Sequence, residues 1–138
     1  MSTFHKNKTA ATLLAFVAGG LGAHRFYLYN RKDPWAWIHL ASVPLSLLLR
    51  LLAPAQPSLF VAAPLAISVL SGFIEALVVG LTPDDKWDAR HNATSGRRSE
   101  SGWPLAVLLV LTLGVGAVAL IAAIARSFDL LFTGGAYG

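Results

Sequence analysis

The stretch that decides the fold is PLAVLLVLTLGVGAVALIAAIA, residues 104–125, which contains no ionisable residue. Its apolar residues form one continuous block rather than a stripe on one helix face, as is typical of a segment surrounded by lipid. A helix rises about 1.5 Å per residue, so about 20 such residues cross the hydrocarbon core of a bilayer. The stretch therefore predicts a transmembrane helix.

Three further apolar stretches precede it. Residues 58–81 carry a single acid, Glu75, and residues 35–52 are also long enough to span. Residues 9–23 are short and rich in small side chains, and they span fully only if their helix continues to Tyr29. We predict an all-α, polytopic integral membrane protein with three transmembrane helices and a short N-terminal membrane helix. This short helix is either re-entrant or a fourth span, and a cleaved signal peptide is the less favoured interpretation.

The composition agrees with a membrane protein. Of the 138 residues, 55% are hydrophobic and only 13% are charged, about half the charged fraction of an average soluble domain. The basic residues lie between the apolar blocks, which favours contact with lipid headgroups and argues against nucleic acid as a partner. The absence of cysteine excludes disulfides, iron–sulfur clusters and a thiol nucleophile.

Local signals place the ends of the helices. Asp33-Pro34 predicts a capped start for the second helix, and Pro54 and Pro57 predict a tight turn that makes the second and third helices an antiparallel hairpin. Residues 82–92 begin with proline and two acids, which favours a short surface helix.

The distribution of lysine and arginine predicts the orientation, because cytoplasmic loops are enriched in them. Four spans with the N-terminus inside give four basic residues inside and seven outside, and the inverted arrangement gives seven and four. A first stretch that dips in and returns gives nine and two. Both arrangements that satisfy the rule place the loop of residues 82–102 in the cytoplasm. We expect a bacterial inner (plasma) membrane.

The most specific motif is GGLGAHRFYL, residues 19–28, preceded by Lys6, Lys8 and LLAF at residues 13–16. These residues resemble the TM-two domain family, small bacterial and eukaryotic membrane proteins with a Gly-Gly-Leu-Gly-x-His-Arg-Phe-Tyr motif. Residues 72–76 resemble the acid-bearing second helix of the family, and residues 82–92 its closing motif. The resemblance implies a membrane architecture and no established catalytic activity.

The chain departs from the family pattern in three respects. Tyr29 replaces the usual glycine, the gap before the acid is long enough for an extra helix, and a further helix follows. The resemblance therefore implies a TM-two-like membrane domain with an inserted helix over residues 1–92. A polar loop over 93–102, an extra transmembrane helix over 103–126 and a C-terminal tail over 127–138 would follow.

Two charges are the most informative candidate site residues. Arg25 and Glu75 should lie on the same side of the membrane, and each is expensive to bury alone. We predict a structural ion pair between them. The alternative is that Arg25 reaches lipid phosphates and Glu75 is protonated or lies near the headgroups.

Small and aromatic residues suggest packing and anchoring roles. Ala15, Gly19 and Gly22 are about one turn apart, and we predict that they form one helix face for close packing. We also predict an interfacial aromatic belt, because such rings favour the headgroup level. Its members are Phe26, Tyr27, Tyr29, Trp35, Trp37, Trp87 and Trp103.

No catalytic constellation is visible, and we predict no enzyme activity and no cofactor. His24, His39 and His91 lack the spacing of a metal site, so we predict no metal. The favoured function is a non-catalytic accessory or scaffold subunit whose partners are the lipid bilayer and either a membrane protein complex or a second copy of itself. The alternative is a small oligomeric transporter or channel in which Glu75 and Arg25 line a polar path.

Overall fold

The structure is a computed structural model that describes residues 4–137, and within that range it is helical without a strand. Its seven α-helices are α1 (Lys8–Ala18), α2 (Ala23–Tyr29), α3 (Pro34–Leu52), α4 (Ser58–Val61), α5 (Ala63–Leu81), α6 (Asp84–His91) and α7 (Trp103–Thr133). Short 3₁₀ turns at Gly19–Leu21 and Asn30–Lys32 follow α1 and α2. The predicted all-α fold is confirmed.

Three helices are long and apolar enough to cross a membrane. They are α3, α5 and α7, with mean hydropathies of 1.5, 2.0 and 2.8. The three predicted spans are therefore present. α7 differs from the prediction because it continues past Arg126 to Thr133. No proline or glycine interrupts residues 126–133, and the helix ends where Gly134 adopts a left-handed conformation (φ 68°).

α1 and α2 form a hairpin rather than a span. Gly22 adopts a left-handed conformation (φ 72°) at the tip and reverses the chain. At the open end, the ammonium of Lys6 donates to the carbonyl of Leu28, and the backbone amide of Asn7 donates to the hydroxyl of Tyr27 at 2.9 Å. α1 is about 16 Å long, half the thickness of an apolar bilayer core. This hairpin is the geometry that a re-entrant first stretch requires.

The course of the chain separates the basic residues. The open end of the hairpin, the start of α3, the end of α5, all of α6 and the start of α7 lie at one end of the bundle. Nine of the 11 lysines and arginines belong to this end, which we call the basic face: Lys6, Lys8, Arg25, Arg31, Lys32, Lys86, Arg90, Arg97 and Arg98. Arg50 and Arg126 belong to the opposite end. This distribution is the nine-to-two split of the re-entrant arrangement.

α6 is fixed to the hairpin through Trp87. Its side chain is 2% exposed and packs with Ala11 and Leu28. The indole nitrogen donates to the carbonyl of Lys6 at 3.0 Å. The prediction that Trp87 belongs to the interfacial belt is wrong, because α6 folds back across the hairpin and Trp87 faces inward.

Candidate functional site: a polar clamp at the hairpin

A cluster of polar side chains joins α2, α3 and α5, with Glu75 at its centre. The carboxylate accepts hydrogen bonds from the Nε2 of His24, from the Nε of Arg25 at 2.7 Å and from the Nε2 of His39 at 3.2 Å. The structure thus brings together Arg25 and Glu75, the pair predicted from the sequence. It adds two histidines that the prediction did not include.

Arg25 bridges two carboxylates. Its NH1 donates to the Oδ2 of Asp33 at 3.1 Å, in addition to its bond with Glu75. Asp33 also caps α3, because its Oδ1 accepts from the backbone amide of Trp35 at 3.2 Å. The guanidinium therefore ties the returning arm of the hairpin to the start of α3 and to the middle of α5.

Ser68 connects the same cluster to the backbone of the hairpin tip. Its hydroxyl donates to the carbonyl of Gly20 at 2.7 Å, and the Nδ1 of His39 lies 2.6 Å from its oxygen. Through its Nε2, His39 also reaches the carboxylate of Glu75 at 3.2 Å, so it joins Ser68 to the centre of the cluster.

We call His24, Arg25, Asp33, His39, Ser68 and Glu75 the polar clamp. Its histidines are buried, and the side chains of Arg25 and Glu75 are 22% and 24% exposed. Charges that leave water are stable when they are paired and hydrogen-bonded. Removal of one partner leaves an uncompensated charge, which typically costs about 3–5 kcal/mol when the site is fully buried. The cluster can therefore fix the hairpin against the spanning helices.

The small residues lie where the hairpin meets its neighbours. Ala15 is buried on α1, and a Cβ built on Gly19 would lie 2.7 Å from the Cα of Gly72 in α5. A Cβ on Gly22 would lie 2.7 Å from the carbonyl oxygen of Ala36 in α3. The prediction that the three residues form one helix face is wrong. α1 ends at Ala18, and Gly22 turns the chain, so the residues lie on different elements.

The remaining aromatic residues of the predicted belt lie at the basic face. Tyr29, Trp35, Trp37 and Trp103 are exposed. Phe26 and Tyr27 are partly buried, and Phe26 packs edge-on against Trp37. Their role as an interfacial belt stays a prediction.

The clamp offers little for chemistry on a substrate. Each oxygen of Glu75 is engaged by a donor, and the guanidinium of Arg25 is held between two carboxylates. Within residues 4–137, no group of three histidine or acidic side chains has the geometry to hold a metal ion.

Sequence reasoning did not place His39, Ser68 or Asp33 in this cluster, although a signal was available. His39, Ser42 and Ser46 recur at helical spacing in an otherwise apolar segment, as do Ser68 and Glu75. Polar residues on one face of a membrane helix usually face a protein partner. The two polar faces meet across the α3–α5 contact.

The fold and the clamp define a class: a helical integral membrane protein with three candidate spans and an N-terminal helical hairpin. Comparison with known families makes this more particular. Residues 5–49 match the family model described as TM2 domain, so the resemblance seen in the glycine-rich motif is confirmed for that stretch. The matched stretch comprises the hairpin and most of α3.

The match limits what the resemblance covers. It ends at residue 49, in the last turn of α3, so Glu75 and the blocks at residues 72–76 and 82–92 lie outside it. The family likeness of those two blocks stays a prediction. No curated protein and no solved structure matches the chain.

Proposed function

We propose that this protein is a non-catalytic accessory subunit that packs, through α7, against a larger membrane complex or a second copy of itself. The observation that carries the proposal is the exposure of α7 along most of its length. Only Leu105, Leu108 and Thr112, all in its first third, are buried within the part of the chain that the structure describes. Over the rest of the helix, one side touches α5, as at Gly116 and Phe73, and the outward side is exposed.

The far end of α7 needs more than lipid tails to cover it. A helix of 31 residues is about 46 Å long, and a tilt of about 20° still leaves about 44 Å, well beyond the apolar core of a bilayer. Phe128, Leu131 and Phe132 lie in the part that projects, and they are 58%, 68% and 76% exposed. A large apolar surface outside the hydrocarbon core favours a protein contact.

The polar clamp supports the same function over the alternative of a channel or transporter. A path for ions needs a carboxylate that can exchange its partners, whereas Glu75 is bonded by three side chains. In the proposed function these groups hold the hairpin. The distribution of lysine and arginine between the two ends of the bundle also supports a cytoplasmic location for the basic face, in a bacterial inner membrane.

Photo-crosslinking at single positions tests the proposal. A cross-linking residue at Val118 or Leu131 on α7 should give a defined protein adduct in membranes. Ile67 on α5 is the matched control, because it is similarly exposed and apolar. Adducts of equal intensity from all three positions, or none from α7, would contradict the proposal.

A further inference from the structure

A second feature of the basic face has no role in the proposed function: an open cleft of about 800 Å³ between α2, the end of α5 and α6. Its inner end contains Glu75 and Arg25 of the polar clamp, and its wall contains Val78 and Val79. Lys86, Arg90 and His91 line its rim. The cleft is thus apolar along its wall and basic at its mouth.

The charges of α6 are sorted by face. Lys86 and Arg90 are exposed on the cleft side, and within residues 4–137 neither forms an ion pair. The acids Asp84, Asp85 and Asp88 line a different cleft together with Arg97 and Arg98. Like charges four residues apart on a helix repel each other. An anion bound between Lys86 and Arg90 would relieve that repulsion.

Two histidines line the same cleft. Burial lowers the pKa of His91, and the positive charges of Lys6 and Arg90 lower it further, so the rim carries a positive potential. His24 lines the inner end of the cleft and is 1% exposed. Among the described residues its Nδ1 has no hydrogen-bond partner, which is uncommon for a buried polar atom.

The position of the cleft indicates the kind of anion. α6 connects the ends of two spanning helices, so it lies at headgroup level, and Val78 just below it is 63% exposed on the side of α5. A ligand that places a phosphate between two cations and an acyl chain along Val78 fits both surfaces. We propose that this cleft binds the phosphate of an anionic phospholipid headgroup, held by Lys86 and Arg90.

Native mass spectrometry of the intact protein tests this, with phosphatidylglycerol titrated against phosphatidylcholine in detergent. Lys86→Gln with Arg90→Gln should weaken retention of one phosphatidylglycerol by at least about tenfold, since two charge-assisted hydrogen bonds are lost. Arg97→Gln with Arg98→Gln removes the same charge from the same end of the protein and should retain the lipid. Val78→Trp, which fills the cleft without a change of charge, should weaken retention too.

Other outcomes would overturn the proposal. Equal loss in the two double variants would show attraction by surface charge alone. Retention of phosphatidylcholine as strong as that of phosphatidylglycerol would show that the cleft does not select a headgroup with a net negative charge. Inorganic phosphate that stabilises lipid-free protein while phosphatidylglycerol does not bind would assign the cleft to a soluble phosphate instead.

Discussion

Gly19 and Gly72 bring the tip of the hairpin into backbone contact with the middle of α5. A Cβ on Gly19 would lie 2.7 Å from the Cα of Gly72, and a Cβ on Gly72 would lie 2.8 Å from the Cα of Gly19. In lipid, helices gain little by hiding apolar surface from one another, so close van der Waals packing is a main source of their attraction. The approach also brings the Gly20 carbonyl within reach of Ser68.

We expect Gly19→Leu to destabilise the protein strongly, because the new side chain would overlap backbone that has no room to move. Overpacking of this kind typically costs about 1–3 kcal/mol or more. Gly114→Leu on α7 is the control, since nothing lies within 4 Å of a Cβ at that position. Unfolding in nanodiscs measures both variants. Equal stabilities would contradict the close contact.

Trp87 should behave as a core residue. We predict that Trp87→Ala lowers the stability by about 3–5 kcal/mol, the range for a buried aromatic side chain. Trp103→Ala is the matched control at the same end of the bundle, because Trp103 is 77% exposed. A thermal unfolding series would show the difference. Similar losses of stability for both variants would contradict the assignment of Trp87 to the core.

We predict that the hairpin is re-entrant, with its two ends on the same side of the membrane. Single cysteines at Asn7 and Asn30, introduced into a chain without natural cysteine, should both react with a membrane-impermeant thiol reagent from the cytoplasm. A cysteine at Ala55, in the turn between α3 and α4, should react only from outside. Labelling of Asn7 and Asn30 from opposite sides would mean that the first stretch spans.

Asp88 should give the polar loop a dependence on pH. Hydrogen bonds from Asn92 and Ser99 lower the pKa of Asp88 to about 2. A carboxyl whose folded pKa is depressed stabilises the fold above its unfolded pKa of about 4, and this contribution is lost as the pH falls towards 2. We therefore expect the Ser99 amide, which donates to Asp88 at 2.7 Å, to exchange faster over that window.

Asp88→Asn should make the exchange at Ser99 fast and independent of this titration. Asp85→Asn is the control, because Asp85 is exposed on the same helix and forms no hydrogen bond within the described part of the chain. Protection that does not change in Asp88→Asn would contradict the role of the carboxylate in ordering the loop.

Long apolar blocks made the spanning helices predictable, because the thickness of a bilayer fixes how many residues are needed. The basic residues likewise favoured a re-entrant first stretch. The reversal at Gly22 was not predictable, since a glycine in an apolar run suits both a packed helix and a turn. The inward orientation of Trp87 depends on how α6 folds over the hairpin, a tertiary contact that a local aromatic pattern does not encode.

The candidate site was predictable in part for a similar reason. Arg25 and Glu75 stood out because charges are rare in membrane segments. His39 and Ser68 are weaker signals, since each becomes informative only when α3 and α5 are known to pack with those faces together. The ion pair was therefore predictable as two residues, and the network around it was not.

If the polar clamp holds the hairpin to α5, Arg25 and Glu75 are energetically coupled, and a double-mutant cycle on the two residues measures this coupling directly. Arg25→Met and Glu75→Gln should each destabilise the protein, and together they should cost less than their sum by about 1 kcal/mol or more. Arg31→Met with Glu75→Gln is the control cycle and should be additive, because Arg31 is exposed and forms no ion pair among residues 4–137. Unfolding free energies in nanodiscs that show the coupling only in the first cycle agree with the clamp, whereas additivity in both cycles would contradict it.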